Sequence, residues 1–328
     1  MQAIFYDRAR DVADAVRLGQ QAGARYIAGG TNLLDLMKGD VEHPTRLVDV
    51  SRLGLDAIQE LPDGGLRIGA TARNSDTANH KLVRERYPLL SQALLSGASG
   101  QLRNMATTGG NLLQRTRCPY FTDTAFSQCN KREPGSGCGA RDGYHRMHAI
   151  LGASPACIAV NPSDMNVALA ALDAVVLTTG PDGERRIPIT EFHRLPGDTP
   201  ERDNSLEHGE LIVAIDLPRS NFAKGSYYLK VRDRASYAFA LVAVAAALEL
   251  EGGRVRQARV VLGGVAHKPW RSREAEAALA ERPASEETFR RAADAALKDA
   301  KPLAHNAYKV ELGKRAIVRA LMRASRLA

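Results

Sequence analysis

The sequence predicts an α+β fold laid down in three successive segments, and three observations carry that prediction. Strand-like and helix-like stretches follow one another in mixed order, which disfavours a regular doubly wound parallel sheet. Turn-forming clusters, Pro62-Asp63-Gly64 and Gly180-Pro181-Asp182-Gly183, lie between strand-like stretches and read as hairpins. The last hundred residues change character, with three strand-like stretches first and three amphipathic helices after them.

In residues 1–55, a short strand is expected at 3–6. Val12, Ala15, Val16 and Leu18 then share one helical face, and Gly23 ends that helix. A strand at 25–28 runs straight into Gly29-Gly30-Thr31-Asn32, followed by a helical turn at 33–38 and a strand at 46–50. The second segment, 56–220, opens with a hairpin whose arms are 55–60 and 65–69, and continues with helices at 74–81 and 89–96. A second glycine-centred turn follows, Thr107-Thr108-Gly109-Gly110-Asn111. Beyond a long irregular loop at 115–160, the stretch 156–160 is strand-like, 163–172 helical, and 174–179 pairs with 184–187; a strand at 211–217 closes the segment. In 221–328, strands are expected at 226–231, 240–250 and 255–263, the last two joined across Glu251-Gly252-Gly253. Helices at 271–279, 285–297 and 309–325 should pack on one face of that sheet.

With 44% hydrophobic and 25% charged residues the chain has the composition of a soluble globular protein. No run approaches the ~20 apolar residues of a membrane span. The first residues lack a basic stretch followed by an apolar one, so no cleavable signal peptide is expected. Net charge is +8, yet the basic residues are dispersed and only 5% of residues are aromatic, a poor footprint for nucleic acid binding. A basic surface of this kind suits an acidic protein partner or a phosphorylated cofactor.

All four cysteines, Cys118, Cys129, Cys138 and Cys157, fall in the irregular loop, separated by 10, 8 and 18 residues. Thiolates suit an iron–sulfur cluster or zinc, and two disulfides are a third reading. A structural zinc site usually brings a tight Cys-x-x-Cys turn, which is absent here. Cys118 is followed by Pro119, as is common beside cluster ligands. The residues favour a cluster and leave zinc and disulfides open.

Both glycine turns have the chemistry of an anion nest, in which small residues expose backbone N–H groups and Thr or Asn side chains add donors. Neither matches Gly-x-Gly-x-x-Gly, so a Rossmann nucleotide site is disfavoured. Six motifs then occur in order: Ala28-Gly29-Gly30-Thr31-Asn32-Leu33, Thr107-Thr108-Gly109-Gly110-Asn111-Leu112, Pro162-Ser163-Asp164, Gly209-Glu210-Leu211-Ile212, Tyr228-Leu229-Lys230-Val231-Arg232-Asp233-Arg234 and Gly263-Gly264-Val265-Ala266-His267-Lys268-Pro269-Trp270. Together, over essentially the whole chain, they resemble the FAD-binding medium subunit of the molybdenum hydroxylase (xanthine oxidase) family. The cysteine loop narrows the likeness to the [4Fe–4S]-carrying branch, nearest to the FAD subunits of bacterial periplasmic aldehyde oxidoreductases, with 4-hydroxybenzoyl-CoA reductase as the alternative.

The resemblance implies a two-part FAD-binding domain of the vanillyl-alcohol-oxidase (PCMH) type followed by a C-terminal α/β domain of the CO dehydrogenase flavoprotein type. It implies that Ala28, Gly29, Gly30, Thr31, Asn32, Leu33 and Leu34, with Thr107, Thr108, Gly109, Gly110 and Asn111, hold the FAD pyrophosphate through backbone donors. Asp164 corresponds to an acidic contact of the flavin nucleotide, Ile212 to an apolar backbone contact, and Lys230 to a cation near the isoalloxazine, with Arg232 and Arg234 as equal candidates. Cys118, Cys129, Cys138 and Cys157 correspond to cluster ligands. The implied partners are a large molybdopterin subunit that oxidises the organic substrate and a small subunit with two [2Fe–2S] clusters. On that likeness the folded complex reaches the periplasm on a partner's signal, whereas the chain alone suggests the cytoplasm. Two rival readings are a zinc-braced, non-redox assembly module and a self-contained flavin oxidase of the vanillyl-alcohol-oxidase type.

Overall fold

The computed structural model describes residues 3–326. The first segment places β1 (Phe5–Arg8), α1 (Val12–Gly19), β2 (Ala24–Ile27), α2 (Leu33–Lys38) and β3 (Arg46–Asp49) in a three-stranded parallel sheet of order β1-β3-β2. Asp11 caps α1 by accepting from the Asp14 N–H at 2.8 Å. The helix stops at Gly19, four residues before Gly23, because the chain must turn there to enter β2.

The middle segment contains β4 (Ile58–Glu60), β5 (Leu66–Gly69), α3 (Asn74–Asn79), α4 (Lys81–Arg86), α5 (Pro88–Ser96), α6 (Gly100–Arg103), α7 (Thr108–Leu112), α8 (Pro119–Thr122), α9 (Gly139–Asp142), α10 (Asp164–Ala171), β6 (Val175–Gly180), β7 (Gly183–Pro188), α11 (Ile189–Phe192) and β8 (Leu211–Leu217). Its strands form an antiparallel sheet of order β4-β5-β8-β6-β7. Three expectations need correction. The helix expected at 74–81 breaks at His80, whose backbone is extended, and restarts as α4. The second glycine turn is the body of α7, capped by the Thr107 hydroxyl on the Gly110 N–H at 3.2 Å. The stretch 156–160 joins no ladder: it makes only single backbone bonds, as where the Ala149 N–H donates to the Ile158 carbonyl, and so serves the loop rather than a sheet.

The last segment adds β9 (Ser226–Val231), β10 (Val242–Glu251), β11 (Arg254–Gly263), β12 (Trp270–Arg271), α12 (Arg273–Leu279), α13 (Glu286–Leu297) and α14 (Tyr308–Ala324), with an antiparallel sheet of order β12-β11-β10-β9. Helices were expected on one face of this sheet, and α12, α13 and α14 do cover one face. The other is covered by α5 and α10 of the middle segment. Successive side chains of a strand point to opposite faces. Val242, Val244, Ala246 and Leu248 therefore join the core under α12–α14, while Ala243, Ala245 and Ala247 join the core built on α5 and α10. This double burial explains the unbroken apolar run of β10, a pattern typical of strands covered on both faces. No helix among the described residues is long and apolar enough to cross a membrane.

Candidate functional site

The first glycine segment leaves β2 and enters α2. Gly30 takes φ +70°, a left-handed conformation that favours glycine, and a Cβ added to Gly29 would lie 1.8 Å from the Met105 carbonyl oxygen. The turn therefore lies directly on the backbone that precedes α7. Among the described residues, the N–H groups of Gly29, Gly30, Thr31, Asn32 and Leu33 donate to no acceptor within the chain. Five consecutive unspent donors form an anion cradle of the kind that phosphate oxygens fill. Asn32 extends it: its Oδ1 accepts from the Arg115 N–H at 2.9 Å, and its Nδ2 is buried without a partner.

In the second glycine segment several backbone donors are already engaged within the chain. The Thr108 and Gly109 N–H groups donate to the Ala72 and Ala70 carbonyls at 2.9 and 2.8 Å, Gly110 to Thr107 Oγ1, and Asn111 to the Thr107 carbonyl. Those donors are consumed in fixing α7 against the end of β5, where Gly109 lies against Ala70. What α7 offers a ligand is its surface at Gly110 and Asn111 rather than free backbone N–H groups.

One cleft gathers Thr31, Asn32, Gly110, Asn111, Asp164 and Lys230 in its walls. Ile212 is not among them; it is buried in the core on β8 and pairs with Thr178. The Ser163 hydroxyl caps α10 and so holds Asp164 at the first position of the helix. There the Asp164 carboxylate accepts from Lys230 Nζ and from the Tyr228 hydroxyl, both at 2.7 Å. Burial and then the Asp164 charge push the Tyr228 phenol well above its ordinary value, which keeps it a neutral donor. Lys230 also donates to the Ser96 carbonyl at 3.1 Å. Its charge meets that of Asp164, which ties β9 to α10, while Lys230 still lines the cleft. Arg232 and Arg234 likewise donate to the Ser96 and Tyr237 carbonyls.

Sequence reasoning missed Asn74 and Arg117. Asn74 lines the cleft with an Oδ1 that is buried and unpartnered, and Arg117 does so with an unpartnered Nε. The unpaired donors and acceptors along this cleft fit FAD, a large ligand with a pyrophosphate and many polar edges.

The four cysteines line a second, smaller cavity together with Tyr120, Phe121, Lys131 and Ala140. Cys129 and Cys138 face each other across an isolated antiparallel bridge, and Cys118 precedes α8 as its N-cap. All four thiols are free, so the disulfide reading falls. Burial pushes the Cys118 thiol up to about 12, and pushes the Cys157 thiol up to about 11 against the opposing pull of the Lys131 ammonium. Among the described residues, no three His, Cys, Asp or Glu side chains converge closely enough for a metal ion. His148 Nε2 lies 3.0 Å from Cys118 Sγ, and burial holds that imidazole down at about 4, so it is neutral.

Two buried anchors hold the loop. Lys131, its side chain 1% exposed, donates to Asp203 Oδ1 at 2.6 Å and to the Pro200 carbonyl, while Arg115 bridges Asp203 at 2.7 Å and Glu42 at 2.5 Å. Burial alone would raise the Asp203 carboxyl; the Lys131 ammonium and Arg115 guanidinium outweigh it and hold the carboxyl down at about 2. On the other side, fully buried Lys309 of α14 donates to the carbonyls of Met147, His148 and Gly264 at 3.1, 3.0 and 2.6 Å.

Comparison with known proteins agrees with this geometry. Residues 2–220 match the FAD binding domain in molybdopterin dehydrogenase, and residues 227–324 match the CO dehydrogenase flavoprotein C-terminal domain. The aldehyde oxidoreductase FAD-binding subunit PaoB of Escherichia coli K12 is 53% identical over 326 residues, 99% of each chain. The glyceraldehyde dehydrogenase medium chain of Sulfolobus acidocaldarius is 28% identical over 83% of this chain and 79% of that one. Among solved structures, carbon monoxide dehydrogenase of Hydrogenophaga pseudoflava superposes with a TM-score of 0.77 at 26% identity, covering 99% of this chain and 98% of that one. The protein therefore belongs to the FAD-binding medium subunits of the molybdenum hydroxylase family, as a subunit of an oxidoreductase complex.

Proposed function

We propose that this chain is the FAD- and [4Fe–4S]-carrying electron-transfer subunit of a heterotrimeric molybdenum aldehyde oxidoreductase. In this reading it takes electrons from a small [2Fe–2S] subunit and delivers them to an acceptor, while a large molybdopterin subunit oxidises the aldehyde. The observation that carries it is the row of five unspent N–H donors at 29–33, which reaches, at Thr31 and Asn32, a cleft that shares Arg117 and Asp164 with the chamber beside Cys118. The aldehyde class is supported by the 53% identity to PaoB along nearly the whole of both chains. The cluster is supported by four free thiols that line one cavity.

FAD, when bound, supplies the capacity to exchange electrons with iron–sulfur carriers and with an acceptor. The residues of this chain bind and shield it. The N–H row at 29–33 meets phosphate oxygens, Asn32 Nδ2 and Asn74 Oδ1 provide one donor and one acceptor, and the Asp164–Lys230–Tyr228 set keeps the wall between α10 and β9 closed to water. Cys118, Cys129, Cys138 and Cys157 would hold the cluster.

The test is a visible spectrum of the purified chain with iron, zinc and acid-extractable flavin counted on one sample. One FAD and about four irons, with a broad band near 400 nm, are expected. Flavin with no iron would remove the cluster from the proposal, and iron with no flavin would remove the role of the cleft.

A further inference from the structure

Four cations line the cofactor cleft: Arg103, Arg117, Lys230 and Arg234. Arg103 donates to the Gly97 carbonyl at 2.6 Å, Lys230 to Asp164 at 2.7 Å, and Arg234 to the Tyr237 carbonyl at 3.0 Å. Arg117 alone among them has no such acceptor in the described residues. Its Nε is buried and unpartnered, and its only close contact of this kind is the Phe239 ring, 5.4 Å from its guanidinium carbon. Asp35 shares the cleft without forming an ion pair with it. An unpaired charge taken out of water is costly, and a fold keeps one where a ligand of opposite charge arrives to pair with it. Arg117 also lines the apolar chamber beside Cys118, so it stands in the wall between the flavin cleft and the cysteine loop.

We infer that Arg117 is an anion-binding residue of the cofactor cleft, pairing with a negative group of bound FAD, either the pyrophosphate or the reduced flavin ring. The inference rests on the reading of the cleft as the FAD site. A guanidinium fork suits either group, and a cation beside the ring favours the reduced, anionic form.

The experiment uses the assembled complex carrying Arg117→Gln, Arg117→Met or Arg117→Lys. Two quantities are read: ADP affinity of the flavin-stripped complex, and the flavin midpoint potential of the reconstituted one. If the pyrophosphate is the partner, both neutral variants weaken ADP at least tenfold. If the ring is the partner, they lose at least tenfold of the preference for reduced over oxidised flavin, a fall of about 30 mV for a two-electron couple. Arg117→Lys restores most of either effect. Both quantities unchanged within twofold would overturn the inference. So would neutral variants that fail to assemble or melt early in the flavin-stripped state, since Arg117 would then be a residue of the fold. A wild-type complex that takes up no FAD would instead fault the reading of the cleft.

Discussion

Replacing Asp203 by Asn tests whether the cysteine loop is held by electrostatics at its base. The change is isosteric and removes the negative charge between Lys131 and Arg115. Lys131 keeps the Pro200 carbonyl and at best a neutral amide oxygen in place of the carboxylate, and its side chain is 1% exposed, so water cannot take over. Arg115 keeps Glu42. Breaking a buried pair on one side costs ~3–5 kcal/mol, because it strands a charge. With an unfolding entropy of about 2.1 cal/mol/K per residue over a chain of this length, that is a fall of roughly 4–7 °C in Tm. The expected readouts at pH 7 are this shift by calorimetry and a lower iron content, since Lys131 lies two residues after Cys129 and Arg115 three before Cys118. The pH dependence has a definite sign. The Asp203 carboxyl is depressed from 3.8 to about 2 in the fold, so its stabilisation is present above pH 3.8 and lost as pH falls through about 2. Asp203→Asn should lack this acid-range loss. A cycle with Lys131→Met completes the test: a coupling of ~2 kcal/mol or more is expected, and additivity within ~0.5 kcal/mol would refute the reasoning.

Other perturbations address the remaining parts. Gly29→Ala places a Cβ 1.8 Å from the Met105 carbonyl oxygen, and the purified complex should carry little or no flavin; full occupancy would show that the turn can move aside. Cys129→Ala should remove the cluster, and four intact irons per chain afterwards would sink the assigned ligand set. Lys309→Met leaves the Met147 and Gly264 carbonyls without their donor while His148 keeps the Asn306 amide, at ~1–3 kcal/mol for each unsatisfied group less the cost of burying the charge; a net loss of about 2 kcal/mol should appear in denaturant unfolding, and a change below ~0.5 kcal/mol would contradict it.

Much of the strand and helix pattern was legible because short-range chemistry decides it. Ser163 before an apolar stretch marks the start of α10, and the hairpin of β6 and β7 turns where Gly180-Pro181-Asp182-Gly183 says it should. The cleft was half legible: Thr31, Asn32, Gly110, Asn111, Asp164 and Lys230 do converge. What remained hidden depends on pairing between distant residues. Thr108 and Gly109 look like free nest donors until Ala70 and Ala72, just beyond β5, accept their N–H groups. Lys230 looks like a spare cation until Asp164, 66 residues away, takes its charge. The second cover of β10 was hidden for the same reason, since an apolar run shows that both faces are buried without showing what lies on the far side. Arg117 carried no signal in its own neighbourhood, because being unpaired is a property of the whole cleft.

Strand β10 belongs to two cores at once, and that has a consequence for how the protein is made. Until synthesis has passed Gly263, helices α5 and α10 lack the sheet that covers them, and Tyr228 and Lys230 can reach Asp164 only once β9 is held in place by β10. The wall of the cleft is therefore completed late, from the C-terminal third of the chain. A fragment ending near residue 220 would expose an apolar flank and lack the part of the cleft wall that β9 supplies, although it contains both glycine segments and every cysteine.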